Sequence, residues 1–451
     1  MKGYGGQRPS GGEFTAPGGR QLGGFSLTAL VIGNMIGAGV FTTTGFAMAD
    51  LGSPGWVLLA WLLGGALALC GAFSYGALAR LMPVSGGEYY FLSRAVHPLA
   101  GFIAGWISLW AGFTAAIAFS AITLEAYLLP ASLRSAVPGN TVATLAILLA
   151  ALAHGLHLRY GAAVQNAAVT IKLLFIGGFI VFAVASGDPA DWKGVSAWRE
   201  APPAAFAPGA FATTLMWISF SYSGYNAAIY VASEAAQAGR AVPRAIVLGT
   251  AITMAVYLVL NAIFALAPAP EAIAGQEAVA AIAAHALAGD AMGYLMRGII
   301  AMALLTSVSA MIMTGPRVYA QMAADGLMPS FLRFRGEVPT LAIALQALLS
   351  VIVVWLTGLR ELLSYLGFTL GLSTAATILS LFIAVRRRRG EIPALPGYPW
   401  APALTVVITL LFAALAASEN PREMLAALLT ILSAVVVYLV FGRRHQRITG
   451  E

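Results

Sequence analysis

A chain of 451 residues in which only 10% are Asp, Glu, Lys or Arg has little with which to cover a water-facing surface. With 59% hydrophobic residues and a mean hydropathy of +0.84, a soluble domain is excluded and a polytopic membrane protein is expected. Cysteine is almost absent: Cys70 stands alone in an apolar run, so neither an internal disulfide nor a thiolate metal cluster can form. No GxxxxGK[ST] stretch occurs, which removes the phosphate-cradling loop of a nucleotide-driven pump. The apolar runs lack the continuous polar lining of a channel. They also lack the deep histidines, nucleophile–base pair or metal cluster of a membrane enzyme, so no catalytic residue, metal or cofactor is expected, protons as a coupling ion aside.

What remains is apolar and periodic. A spanning helix needs about 20 apolar residues, and runs of that kind cover 24–49, 55–82, 99–128, 139–158, 162–186, 208–234, 243–267, 291–323, 338–357, 361–386, 398–417 and 422–442. The reading is an all-α integral membrane protein of about twelve spans. Residues 1–23, Gly-rich and polar, read as a disordered N-terminal tail, 387–397 as a basic loop, 398–442 as two peripheral helices and 443–451 as a C-terminal tail.

Charge orients the bundle, because Lys and Arg collect in cytoplasmic loops. With both ends inside, eighteen Lys and Arg fall on inner segments, against six (Arg134, Lys193, Arg199, Arg297, Arg360 and Arg422) on outer loops, with Lys172 inside a span. The net charge of +7 therefore follows from topology and calls for no nucleic-acid partner. The run Arg386 to Arg389 reads as a stop-transfer anchor, with an anionic-lipid patch as its alternative.

Two spans carry interruptions. GNMIGAGVF, from Gly33 to Phe41, has three glycines in seven residues, and ISFSYSGYNAAIY puts Ser219, Ser221, Ser223, Gly224 and Asn226 in mid-span. Gly33 and Gly37 also make a GxxxG pair, which would serve close helix packing. Yet the breaks fall in the first and sixth spans, five apart, as in an inverted repeat whose discontinuous helices meet at the bilayer midplane. Where the first span resumes, near Ala38 and Gly39, free N–H groups can receive a carboxylate. Orphaned carbonyls near Met35 and around Phe220, Ser221 and Ser223 can receive an ammonium. The two receptors together describe an α-amino acid.

GNMIGAGVF, PVSGGEYYFLSR, FSYSGYNAAIY and SEAAQAGRAVPRAI, in that order, resemble the amino acid–polyamine–organocation superfamily of transporters, over about 24–386. The resemblance implies the leucine-transporter type fold: ten core helices over 24–386 in two inverted repeats of five (about 24–186 and 208–386), with helices 1 and 6 discontinuous. It implies a substrate site at Met35, Ile36, Gly37, Ala38, Gly39, Phe220, Ser221, Ser223, Gly224 and Asn226, with the Phe220 ring as outer gate. Ser223, Gly224 and Tyr225 stand where many relatives have Gly-Gly-Trp.

Lys172 lies some ten residues into its span, roughly 15 Å deep at 1.5 Å per residue, beyond easy snorkelling to headgroups. In sodium-independent members of the superfamily a lysine on the fifth helix fills the place of the sodium ion, and Lys172 is similarly placed. The implied coupling set is Lys172 with Gly33, Ser307 and Ser309, and either proton coupling or a sodium-free exchanger would follow. Thr306, Ser307 and Ser309 could instead ligate sodium or bond their own helix. Glu125 reads as interfacial. Glu234 precedes Arg240 and Arg244 as a gate cluster or a solvated face. His154 and His157 border a loop. The functional expectation is a secondary transporter of neutral α-amino acids, working by alternating access in the cell (inner) membrane. Its alternatives are an amino-acid or polyamine exchanger and a transporter-derived sensor.

Overall fold

The computed structural model describes residues 22–129, 137–155, 162–186, 188–200, 205–324, 326–334, 338–388 and 394–449, and of 162–169 and 441–449 the backbone alone. Residues 1–21 of the expected tail, Arg134, His157, Arg159, Arg335, Arg389 and the side chains of Arg443, Arg444 and Arg447 lie outside the described set.

The described chain is helical. In order come α1 (Gly24–Met35), α2 (Ala38–Leu51), α3 (Pro54–Leu81), α4 (Gly87–Ala95), α5 (Pro98–Ile107), α6 (Ala116–Leu128), α7 (Thr141–Gly155), α8 (Ala162–Ala185) and α9 (Lys193–Glu200). There follow α10 (Pro208–Ser221), α11 (Ala227–Tyr230), α12 (Ala238–Leu266), α13 (Pro270–Ile273), α14 (Val279–Ala324), α15 (Thr340–Leu356), α16 (Leu359–Arg387), α17 (Trp400–Glu419) and α18 (Pro421–Thr449). Pro54, Pro98 and Pro208 open α3, α5 and α10, where a missing N–H costs nothing. Gly52, left-handed at φ 61°, closes α2.

A π-helical stretch, Ser108–Ala115, joins α5 to α6 in one rod from Pro98 to Leu128. α14 is broken at Ala288 and Gly289, just before the apolar run that begins at 291. Among the described residues the apolar runs fall on helical segments, and seven helices are long and apolar enough to cross a membrane singly, or eight with α1 and α2 taken as one bent span. α7, α15 and the described part of α8 from Thr170 are shorter apolar helices.

Packing follows side-chain size. α3 lies along α12, where Gly65 leaves room for Met254, and against α10, where Gly64 leaves room for Ile218 and Tyr222. α1 also packs on α12, and Gly249 admits Val31 there. α2 packs on α10, and α6 on α14. The aliphatic side chains facing outward, such as Leu149, Leu174 and Leu356, are what a lipid-facing surface requires.

Candidate functional site

α1 stops at Met35 and α2 starts at Ala38, bent from it by 41°. Ile36 (ψ 91°) and Gly37 (φ −124°, ψ −160°) are extended, so the helix is truly interrupted. No side chain caps α2, which leaves its first N–H groups, Ala38 and Gly39 among them, without a partner inside the helix. Both residues are buried. The positive end of a 14-residue helix therefore lies in the protein interior.

The second interruption is longer. α10 ends at Ser221, and a turn through Tyr222, Ser223, Gly224 and Asn226 leads into the four-residue α11. Gly224 takes φ 97°, which only glycine adopts cheaply. Phe220 O accepts from Ser223 N at 2.8 Å, and Gly224 O from Ala227 N at 3.0 Å. The two breaks touch. Asn34 Nδ2 donates to Gly224 O at 3.2 Å, and Thr43 Oγ1 and Ser221 Oγ are 2.9 Å apart. A Cβ on Gly39 would stand 2.5 Å from Ser221 Oγ and 2.9 Å from its Cα, whereas Gly37 meets only Met35 O, at 4.0 Å. Close helix approach is thus the business of Gly39, and Gly37 has room beside it.

The carbonyls of the first break are already engaged. Tyr257 of α12 donates to Met35 O at 2.7 Å, leaving that oxygen one lone pair for a ligand. Lys172 of α8, 6% exposed, donates to Ile36 O at 2.5 Å and Gly33 O at 3.3 Å. Its side chain comes in past Phe41, Ile176, Leu260 and Met296, so the ammonium is held by main-chain dipoles within an apolar sheath. Of the other residues grouped with it from the sequence, Ser307 and Thr306 bond Ala303 O of their own helix, and Ser309 meets His154 Nε2 at 2.8 Å. The Phe220 ring, half buried, stands edge-on to Phe119 with centroids 5.4 Å apart.

The sequence puts no acid in either break, but folding brings one to the edge. Glu88 of α4 accepts from Tyr75 at 3.1 Å, from Tyr230 at 2.5 Å and from Asn226 Nδ2. The amide expected at the substrate is thus drawn toward the end of the bundle where α1 begins. At that end Ser85 and Ser233 exchange N–H and hydroxyl bonds at 3.0 and 2.9 Å, and Leu22 pairs in parallel with Ala235. At the opposite end Arg360 of α16 gives 2.7 Å bonds to both Asp50 oxygens, and its guanidinium lies 5.2 Å from the Trp217 ring centre. Contacts between distant segments therefore tie the bundle at both ends.

Glu234 forms no ion pair with Arg240 or Arg244, although its main chain pairs with Leu22. Glu125 caps α7 by accepting from Asn140 N at 2.7 Å and Ala143 N at 2.9 Å. Tyr257, Glu88 and the Asp50–Arg360 pair escaped the sequence reading. Only GGEYY carried a signal, an acid inside a Gly-rich loop between two spans.

A family model described as amino acid permease matches residues 22–441. Among curated proteins, the serine/threonine exchanger SteT of Bacillus subtilis is 28% identical over 392 residues, 85% of this chain and 87% of that protein. The large neutral amino acids transporter small subunit 2 of Rattus norvegicus is 26% identical over 387 residues, 83% of this chain and 71% of its own length. The Asc-type amino acid transporter 1 of Homo sapiens is 25% identical over 387 residues, 82% and 72% respectively.

Proposed function

The chain belongs to the amino acid permease family, and we propose that it is a sodium-independent carrier of neutral α-amino acids working by alternating access. It is an integral membrane protein whose relatives transport amino acids. The observation that carries the reading is the buried meeting of the uncapped start of α2 with the end of α10, held by Gly39 against Ser221. There the free N–H groups take the substrate carboxylate. The remaining lone pair of Met35 O, with the carbonyls of Ser221 and Ser223, takes its ammonium.

Neutral side chains fit because Glu88, the acid near the breaks, has both oxygens occupied by neutral donors. The names of two relatives, which specify large neutral amino acids and serine or threonine, agree with that class. Sodium independence rests on Lys172, whose ammonium already supplies a cation to the first break. A second reading, obligatory exchange, is favoured by the same fixed charge and by the name exchanger given to one relative.

The proposal includes twelve spans, inverted repeats over about 24–186 and 208–386, and both termini in the cytoplasm. After Cys70→Ser, a cysteine at Arg388 should label only from the cytoplasmic side and one at Val195 only from outside. Labelling of both from one side overturns the topology. Uptake of a labelled amino-acid panel into proteoliposomes, with and without sodium and with and without internal amino acid, tests the rest. Sodium-free uptake of neutral members supports the carrier, and a need for internal amino acid selects exchange. Uptake that requires sodium removes the proposal, and substrate binding with no flux under any condition makes the protein a sensor.

A further inference from the structure

Arg240 and Arg244 do not pair with Glu234 and join no ion pair among the described residues. They face a surface cavity of about 350 Å³ between the start of α12 and the start of α1, walled also by Gly24, Thr28 and Gln237, with no acidic side chain among the described residues of its lining.

In the bare protein this arrangement is electrostatically unfavourable on three counts. Arg240 is the third residue of α12, at the positive end of its dipole, and that end has neither an acid in its first turn nor a side-chain cap. Arg244 follows four residues later on the same face, where like charges repel. The start of α1, whose Gly24 forms part of the wall, is likewise uncapped by any side chain. All three resolve if one anion with several acceptor oxygens sits among them, and the guanidinium fork matches a phosphate.

The same face of α12 says where that phosphate comes from. At the four-residue spacing that keeps side chains in one row, Arg240 and Arg244 are succeeded by Leu248 and Ile252, 54% and 40% exposed. Phe25, beside Gly24, is 89% exposed. Two cations giving way to outward aliphatic side chains, level with the first turn of a membrane-entering helix, trace a headgroup above an acyl chain. We propose that this cavity is a phosphate-binding site filled by an anionic phospholipid of the leaflet at the N-terminal face.

The full chain, purified in detergent, would be probed with phosphatidylglycerol, with phosphatidylcholine and with inorganic phosphate, reading bound lipid by native mass spectrometry and stability by thermal unfolding. The wild type should retain and be stabilised by phosphatidylglycerol, and R240Q/R244Q should retain about tenfold less or lower still. The pair R199Q/R422Q, elsewhere on the chain, should retain it as the wild type does. Stabilisation by inorganic phosphate as strongly as by the lipid, lost in R240Q/R244Q, would assign the site to a free ion and overturn the lipid source. Equal phosphatidylglycerol retention by wild type and R240Q/R244Q overturns the site itself. If the double variant does not elute as one species, R244Q and the charge-keeping R240K/R244K replace it. R244Q should lose retention and R240K/R244K keep most of it, and the reverse order overturns the proposal.

Discussion

Replacing Gly39 by alanine adds a single carbon, and the surroundings say what that carbon costs. It would arrive 2.9 Å from Ser221 Cα and Cβ and 2.5 Å from Oγ, whereas carbon atoms rest about 3.5–4.0 Å apart. The hydroxyl could rotate away only by giving up Thr43 at 2.9 Å and Trp217 O at 3.0 Å. The Cα cannot rotate at all, so α2 and α10 must part by roughly 0.6 Å or more. Overpacking of this kind costs about 1–3 kcal/mol, which weakens the closed arrangement of the two breaks roughly five- to 150-fold. Substrate affinity of purified Gly39→Ala, measured by scintillation proximity with a labelled neutral amino acid, should fall within that range while the protein stays monodisperse. Adding Ser221→Gly removes two of the three crowding atoms and should restore part of the loss, though that change alone also forfeits the Thr43 contact. Affinity within about twofold of wild type in Gly39→Ala, below the smallest cost expected from overpacking, would refute the idea that this contact sets the site.

Lys172→Met keeps length and loses donations to Ile36 O and Gly33 O, each worth about 1.5–3 kcal/mol for a charged donor. Sodium-free uptake should drop at least about tenfold, and sodium-free uptake equal to the wild type would contradict the role given to the ammonium. Asp50 is 14% and Arg360 48% exposed, so solvent limits their pair to about 1 kcal/mol. Arg360→Gln should accordingly speed labelling of a cysteine at Thr43 from that end by about fivefold, and an unchanged rate would remove the pair as a latch. Glu125→Ala uncaps α7 at about 1–2 kcal/mol, lowering the unfolding temperature with substrate affinity unchanged. A changed affinity would mean that Glu125 belongs to the transport path.

The two breaks were legible because glycines and hydroxyls stand out against apolar runs, and Lys172 because a charge at that depth has few innocent explanations. Their partners were not. Tyr257 is 222 residues from Met35, and Arg360 is 310 residues from Asp50, so no local pattern announces either contact. Glu125 looked interfacial because its ligands are backbone N–H groups, which every sequence offers at every helix start. The π-helical Ser108–Ala115 left no mark in composition either, since its register is set by the helices around it. Gly39 and Gly37 were alike in the sequence, and only the neighbour on α10 separates the one that packs from the one that has space.

The acceptors of the Lys172 ammonium are main-chain oxygens, and this makes the contact lopsided under mutation. A peptide carbonyl is blind to the side chain it belongs to, so position 36 can drift through any residue its packing tolerates without touching the bond. At position 172 the reach and charge of lysine must both survive. A defect there has no complementary partner to mutate, as a charge pair would, and suppressor screens beginning from a lost Lys172 should return true revertants or changes that reposition the backbone of the first break.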